Sequence, residues 1–152
     1  MNEPVTIAAS RSRPAADAVE RTLAQVGDRW TFLILREAFF GTKRFDVLRV
    51  NTGASPAVLT DRLNRLLENE IFTRATYGAH PNRFEYHLTP KGLDLYSVIV
   101  LMMQWGDTWI PVDEPGIELD HLCSRTGPFV LRCPDCGEPI DAHSTSWRPA
   151  QT

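Results

Sequence analysis

The stretch from residue 45 to residue 88 constrains this chain most. It reads as a short helix, a tight turn, a longer helix and then two short strands in quick succession. The longer helix opens at Ser55-Pro56. Ser55 is suited to cap free N–H groups, and Pro56 takes the first helical position, where its missing N–H costs nothing. Leu59, Leu63, Leu66 and Leu67 then recur at i, i+4, i+7 and i+8, one apolar stripe on a helix reaching about Asn69. A short helix over about Phe45 to Val50 precedes it, with Asn51-Thr52-Gly53-Ala54 as the turn between them. After it, Phe72 to Tyr77 reads as a strand. Phe84-Glu85-Tyr86-His87-Leu88 alternates apolar and polar as a half-buried strand does, and Gly78 to Arg83 supplies the hairpin tip.

Helices flank this centre on both sides. Val19, Leu23 and Val26 set a first helix over about Ala15 to Val26. Gly27 follows, and Asp28 caps a second helix over about Arg29 to Phe39. That helix is apolar almost all round (Trp30, Phe32, Leu33, Ile34, Leu35, Ala38, Phe39) and so belongs inside the domain, with Gly41 just past its end. Thr89 and Pro90 open a last helix expected to run to about Trp109. Its apolar residues cover nearly every side, more than one domain can bury, so a second copy of the chain is the expected cover. Met102, Met103, Trp105 and Trp109 are read as core or dimer seam, with a small-effector pocket near that seam as the alternative.

The fold class that follows is mainly α with a small β-hairpin wing (α+β), a winged helix-turn-helix. Residues 1–13 are expected to form a flexible arm, 14–110 the winged helix-turn-helix and dimerisation domain, and 111–152 a cysteine-containing tail or small subdomain.

Such an order of elements places the second helix of the motif in a DNA major groove. Opposite the leucines stand Ala57, Asp61, Asn64, Arg65 and Glu68, flanked by Val58, Thr60 and Arg62. Small residues at the helix start permit close approach. Arg62 or Arg65 can fork onto guanine, Val58 can meet a thymine methyl, and Asp61 can accept from cytosine or hold Arg65 by an i,i+4 pair. Arg74, His80 and Arg83 lie on or near the hairpin. Lys43 and Arg44 precede the short helix, where side chains and a helix N-terminus can hold a phosphate. Any one of these residues alone is ordinary surface; their order in the chain carries the reading.

Charge agrees once it is divided. The net charge is −3 overall, yet residues 1–92 carry +3 and residues 93–152 carry −6, so a basic front precedes an acidic tail. No apolar run is long enough to span a bilayer, and Met1 to Ala16 lacks the apolar stretch of a signal peptide. A cytoplasmic protein without a membrane is therefore expected. No HExxH, GxSxG or glycine-rich phosphate loop occurs, and no enzyme is expected. A protein-interaction module with a zinc-knuckle or thiol-sensing tail is the alternative.

Several motifs in order resemble one known family. They are Gly27-Asp28-Arg29-Trp30-Thr31 with Leu33-Ile34-Leu35-Arg36, then Gly41 to Phe45 with Leu48, then Ser55-Pro56 with Val58-Leu59-Thr60 and Arg62-Leu63. Phe84-Glu85-Tyr86 with Leu88 to Gly92 completes the set. Together they resemble the HxlR-type winged-helix regulators over roughly Ala16 to Trp109. The resemblance implies a transcriptional regulator that binds a pseudo-palindromic operator on double-stranded DNA as a homodimer. It implies dimerisation through the first and last helices, where Val19, Leu23, Leu95, Val98, Met102 and Trp105 are the candidates. It also implies base reading from Ser55 to Arg65 and phosphate contacts from Lys43, Arg44 and Arg83. Many relatives carry a sensing cysteine shortly before the first helix; this chain has Ala15-Ala16-Asp17 there. Its turn residues 51–54 also lack the apolar residue that relatives often place beside the glycine.

All three cysteines lie in the tail. Cys133-Pro134-Asp135-Cys136-Gly137 is a CxxC turn that points two sulfurs one way. His121 and Cys123 could complete a four-donor zinc set, with Asp120 or His143 as other donors. Three readings stay open: a packed hairpin without metal, a zinc site, and a redox pair of Cys133 with Cys136.

Overall fold

The computed structural model describes residues 17–78, 82–110, 112–113, 116–123 and 129–145. The expected arm, residues 1–13, lies outside them. The chain divides after Leu95 into two compact units. The first holds α1 (Ala18–Val26), α2 (Arg29–Phe39), α3 (Phe45–Thr52), α4 (Pro56–Glu68), β1 (Phe72–Thr76), β2 (Phe84–Leu88) and α5 (Pro90–Leu93). The second holds α6 (Tyr96–Trp109) and the tail. Mainly helical structure with one two-stranded antiparallel hairpin is the expected winged helix-turn-helix.

Local chemistry sets the helix ends. Asp17 caps α1 by accepting from the Glu20 N–H at 2.9 Å. Asp28 caps α2, accepting from the N–H groups of Trp30 and Thr31. At the far end of α2 the Thr42 N–H returns to the Glu37 carbonyl and the Gly41 N–H to that of Ala38. Such a closure needs left-handed backbone at its centre, and Gly41 supplies it at φ +89°. Ser55 caps α4 through the Val58 N–H, with Pro56 at the first position.

The core of the first unit is built from one face of each helix. Ile34 and Leu35 of α2, Leu48 of α3 and Leu59, Leu63 and Leu66 of α4 are buried, with Val26, Ile71 and Phe72. The helices α2, α3 and α4 pack on one another. Leu67, the fourth leucine of the stripe, is only half-buried, as are Trp30, Phe32 and Leu33.

Two boundaries differ from expectation. Helix α3 continues through Asn51 and Thr52, which the sequence places in the turn. The Thr52 hydroxyl donates to the Leu48 carbonyl at 2.7 Å, and the Asn51 amide donates to the buried Glu37 carboxylate at 2.7 Å. Those partners carry the helix half a turn further, and Gly53 at φ +72° then ends it. The single helix expected from Thr89 to Trp109 is two helices. After Leu93 the ladder tightens to an i→i+3 bond, Leu95 N–H to the Gly92 carbonyl, before α6 begins at Tyr96.

In the hairpin Phe72 faces Leu88, Arg74 faces Tyr86 and Thr76 faces Phe84. In the second unit Ile99 and Val100 of α6 are buried. The Phe129 N–H donates to Gln104 Oε1 at 2.7 Å. No helix among the described residues is long and apolar enough to cross a membrane.

Candidate nucleic-acid interface

Helix α4 buries Leu59, Leu63 and Leu66 and so turns the other side outward. Ser55, Ala57, Thr60, Asp61, Asn64, Arg65 and Glu68 are exposed, and Val58 is half-buried. This face carries small residues near its start and longer polar ones toward its end. Among the described residues the Arg65 guanidinium makes no ion pair, which leaves its fork free for an acceptor.

Arg62 is placed differently. Its Nε lies 3.1 Å from Asp28 Oδ1, and its Nη1 lies 3.2 Å from Asp61 Oδ2. The Nε contact is an ion pair without an aligned hydrogen bond. The Arg62 side chain is 23% exposed, against 63% for that of Asp61. Asp61 thus pairs with its neighbour Arg62 and not with Arg65.

Asp28 is held from several sides. Its Oδ1 accepts from the N–H groups of Trp30 and Thr31 at 3.0 and 3.1 Å, and its Oδ2 accepts from the Thr31 hydroxyl at 2.6 Å. Partial burial works against the carboxylate. The Thr31 hydroxyl and N–H, the Arg62 charge and the Trp30 N–H outweigh it and hold Asp28 below its ordinary value.

The wing is braced by cations. Arg44, N-cap of α3, forms an isolated antiparallel bridge with Glu85 of β2. The adjacent Tyr86 N–H donates to the Lys43 carbonyl at 2.8 Å. The Arg44 guanidinium stacks 4.5 Å over the Tyr77 ring and reaches Glu85 at 3.4 Å. Arg74 stacks 4.7 Å over Phe84, and His87 stands 3.7 Å from Glu85. Arg44 and Arg74 therefore shape the hairpin as well as contributing charge. Lys43 and Arg83 are exposed and make no ion pair among the described residues. His80, at the hairpin tip, lies outside the described residues.

One buried polar cluster has no counterpart in the sequence reading. Glu37 of α2 is 6% exposed. It accepts from Arg36 Nη2 at 2.8 Å and from the Asn51 amide at 2.7 Å, so it ties α2 to α3. A carboxylate in an otherwise apolar helix is the signal that could have pointed to it, because a buried charge needs partners.

A family model for the HxlR-like helix-turn-helix matches residues 25–114. The chain belongs to the HxlR-like helix-turn-helix family. An uncharacterized HTH-type transcriptional regulator of Mycobacterium tuberculosis is 45% identical over 135 residues, covering 88% of this chain and 85% of the relative. Another from Synechocystis sp. is 32% identical over 93 residues, covering 60% of this chain and 69% of the relative. Among solved structures PA1607, described as a transcription factor, superposes with a TM-score of 0.79 at 31% identity. That match covers 90% of this chain and 96% of the other. The redox regulator HypR in its reduced form gives a TM-score of 0.56 at 30% identity, covering 60% of this chain and 92% of HypR. Like its family, this chain is a DNA-binding transcriptional regulator of the helix-turn-helix type.

The residues named for self-association are exposed on their helices. Val19 and Leu23 of α1 are 64% and 54% exposed, and Val98, Met102 and Trp105 of α6 are 40%, 49% and 61% exposed. Leu95 is half-buried.

The tail cysteines form a turn and a separate pair. Gly137 at φ +75° closes the CxxC turn, with the Gly137 N–H on the Cys133 carbonyl and the Cys133 N–H on that of Glu138. The N–H groups of Cys136 and Asp135 and the Cys136 thiol hold the Cys133 thiol below its ordinary value. His121 Nδ1 stands 3.1 Å from Cys123 Sγ. Among the described residues, no three of the proposed zinc donors come together. The expected set of His121, Cys123, Cys133 and Cys136 is thus two pairs in this structure and not one assembled site.

Proposed function

We propose that this regulator binds a pseudo-palindromic operator as a homodimer, with α4 in the major groove and the hairpin beside it on the backbone. The observation that carries the reading is the division of α4 into a buried leucine stripe and an exposed polar face, directly before a braced hairpin. Ser55, Ala57, Val58, Thr60, Asp61 and Arg65 supply the base contacts, and the free fork of Arg65 suits guanine O6 and N7. Lys43 and Arg83 hold phosphates, aided by Arg44, Arg74 and His80. Residues 14–110 are the DNA-binding and dimerising module, and residues 111–152 are an appended tail. Exposed apolar side chains at i, i+4 on α1 and at i, i+4, i+7 on α6 support self-association. The protein works where the chromosome is, in the cytoplasm.

The test is fluorescence anisotropy of the purified protein on DNA from its own upstream region, with a scrambled duplex as control, at two salt concentrations. Preference for the native duplex, weakening steeply with salt as counterions are released, is the expected result. Equal weak binding to both duplexes contradicts a specific operator there.

A further inference from the structure

We infer that Arg62 is a positioning residue of the recognition helix, whose ion pair with Asp28 fixes how α4 is presented from the junction of α1 and α2. The inference rests on the DNA-binding reading above and changes the role expected of Arg62 within it.

Three observations converge. The first is the state of the guanidinium. Reading guanine takes two parallel N–H donors, and here Nε and Nη1 already face carboxylates at 3.1 and 3.2 Å. Each parallel pair, Nε with Nη2 or Nη1 with Nη2, includes one of these committed nitrogens, and using Nε would strip Asp28 of its only cation among the described residues. Arg65, one turn away, makes no ion pair among the described residues.

The second is the rigidity of the anchor. Asp28 accepts from two backbone N–H groups and one hydroxyl, so its carboxylate cannot swing. An arginine tied to a fixed point transmits position; one tied to a mobile side chain does not.

The third is where the anchor sits. Asp28 follows α1 by a single residue, Gly27. A Cβ on Gly27 would stand 2.4 Å from the Leu23 carbonyl oxygen, so the chain leaves the last turn of α1 by a path open only to glycine. The helices α1 and α4 are also in contact. Val26, Gly27, Asp28 and Arg62 thus form a short path from the end of α1 to the middle of α4. The leucine stripe holds α4 against the core but is apolar and non-directional. The Asp28–Arg62 ion pair adds a second point of attachment outside the leucine stripe. A second fixed point limits rotation and slide, and a recognition helix needs both set closely to align several side chains with base edges.

The test uses the full chain and the operator mapped by anisotropy. Asp28→Asn keeps a good helix cap and removes the charge. Arg62→Ala removes the partner, and Arg62→Lys keeps charge without the fork. Each is measured on the operator, on its single-base variants and on scrambled DNA, with circular dichroism to confirm folding. We expect Asp28→Asn and Arg62→Ala each to weaken operator binding by about 3- to 30-fold, and the double variant to lose no more than the worse single one. The loss should fall evenly over all base positions, leave the salt slope on scrambled DNA unchanged, and be partly restored in Arg62→Lys. A preference relaxed at one base position in Arg62→Ala alone, with Asp28→Asn binding as wild type, would overturn the inference and return Arg62 to base reading. Additive losses would overturn it too. If wild-type protein shows no preference for any native duplex, the DNA-binding reading itself fails and the inference with it. That outcome is separate from the variant patterns.

Discussion

Gly92 and Ile71 meet backbone to backbone. A Cβ on Gly92 would stand 2.3 Å from the Ile71 carbonyl oxygen and 3.0 Å from Leu88 Cδ2. Around them, the Thr89 hydroxyl donates to the Glu70 and Ile71 carbonyls, and Lys91 Nζ donates to the Asn69 carbonyl at 2.7 Å. The end of α4 and the start of α5 are therefore stitched across the base of the wing. Because main chain cannot step aside as a flexible side chain can, Gly92→Ala is expected to destabilise the first unit by about 1–3 kcal/mol. Thermal denaturation followed by circular dichroism checks this; an unchanged midpoint would contradict the close approach.

Glu70 presents the opposite case. It is the one described non-glycine residue at positive φ, +56°. It stands at the centre of the closure of α4, where the Ile71 N–H returns to the Leu66 carbonyl and the Glu70 N–H to that of Leu67. Glycine is favoured at this place, as Gly41 shows at the end of α2. Relief of the left-handed strain outweighs the added freedom of the unfolded chain. Glu70→Gly is therefore expected to stabilise the protein by about 0.5–1 kcal/mol, read as a higher urea midpoint at constant slope.

Ser55-Pro56 and the leucines of α4 are local signals, and the helix stands where they place it. The alternation of residues 84–88 likewise marks β2. Asn51 and Thr52 read as a turn because the partner that keeps Asn51 helical, the buried Glu37, is fourteen residues away. Arg62 lies at the edge of the polar stripe, where periodicity alone cannot choose between solvent and Asp28. Arg44 reads as a phosphate ligand by its charge, whereas its stacking on Tyr77 depends on a hairpin fold that one-dimensional spacing does not encode. Local chemistry was legible; pairings between distant residues were not.

Asp28 gives the protein an acid-sensitive contact. Its folded value is depressed, so its contribution to stability is present above the ordinary carboxylate value of 3.8 and is lost as pH falls through the lower folded value. Denaturant unfolding of wild type and Asp28→Asn across the acid range checks this. The advantage of the wild type should be present near neutrality and should shrink below about pH 4. A difference independent of pH would show that the charge contributes nothing.

Self-association can be tested where the helices are most exposed. Leu23 of α1 and Met102 of α6 each leave about half their surface in solvent. A glutamate at either place therefore disturbs no core in the single chain. In a two-fold dimer each substitution acts twice, so Leu23→Glu and Met102→Glu are each expected to weaken dimerisation by at least about tenfold. Sedimentation velocity over a concentration series reads the shift, and an unchanged helical spectrum shows that the fold persists. Dimers that withstand both substitutions would place the interface elsewhere.

The tail offers a chemical test of its turn. The Cys136 N–H, the Asp135 N–H and the Cys136 thiol all favour the Cys133 thiolate, against a weak opposing desolvation. They do so only while Gly137 and the Cys133–Glu138 contact hold the turn closed. Thiolate and not thiol reacts with iodoacetamide, so the alkylation of Cys133 should rise at lower pH in the folded protein than in urea. Cys136→Ala, which removes the side-chain donor but keeps both backbone N–H groups, should move the folded profile only part of the way back. Peptide mass spectrometry after timed alkylation, with a chelator present to keep the sulfurs free of metal, resolves the three cysteines separately. Coincident profiles in the folded and unfolded states would mean that the turn does not form in solution.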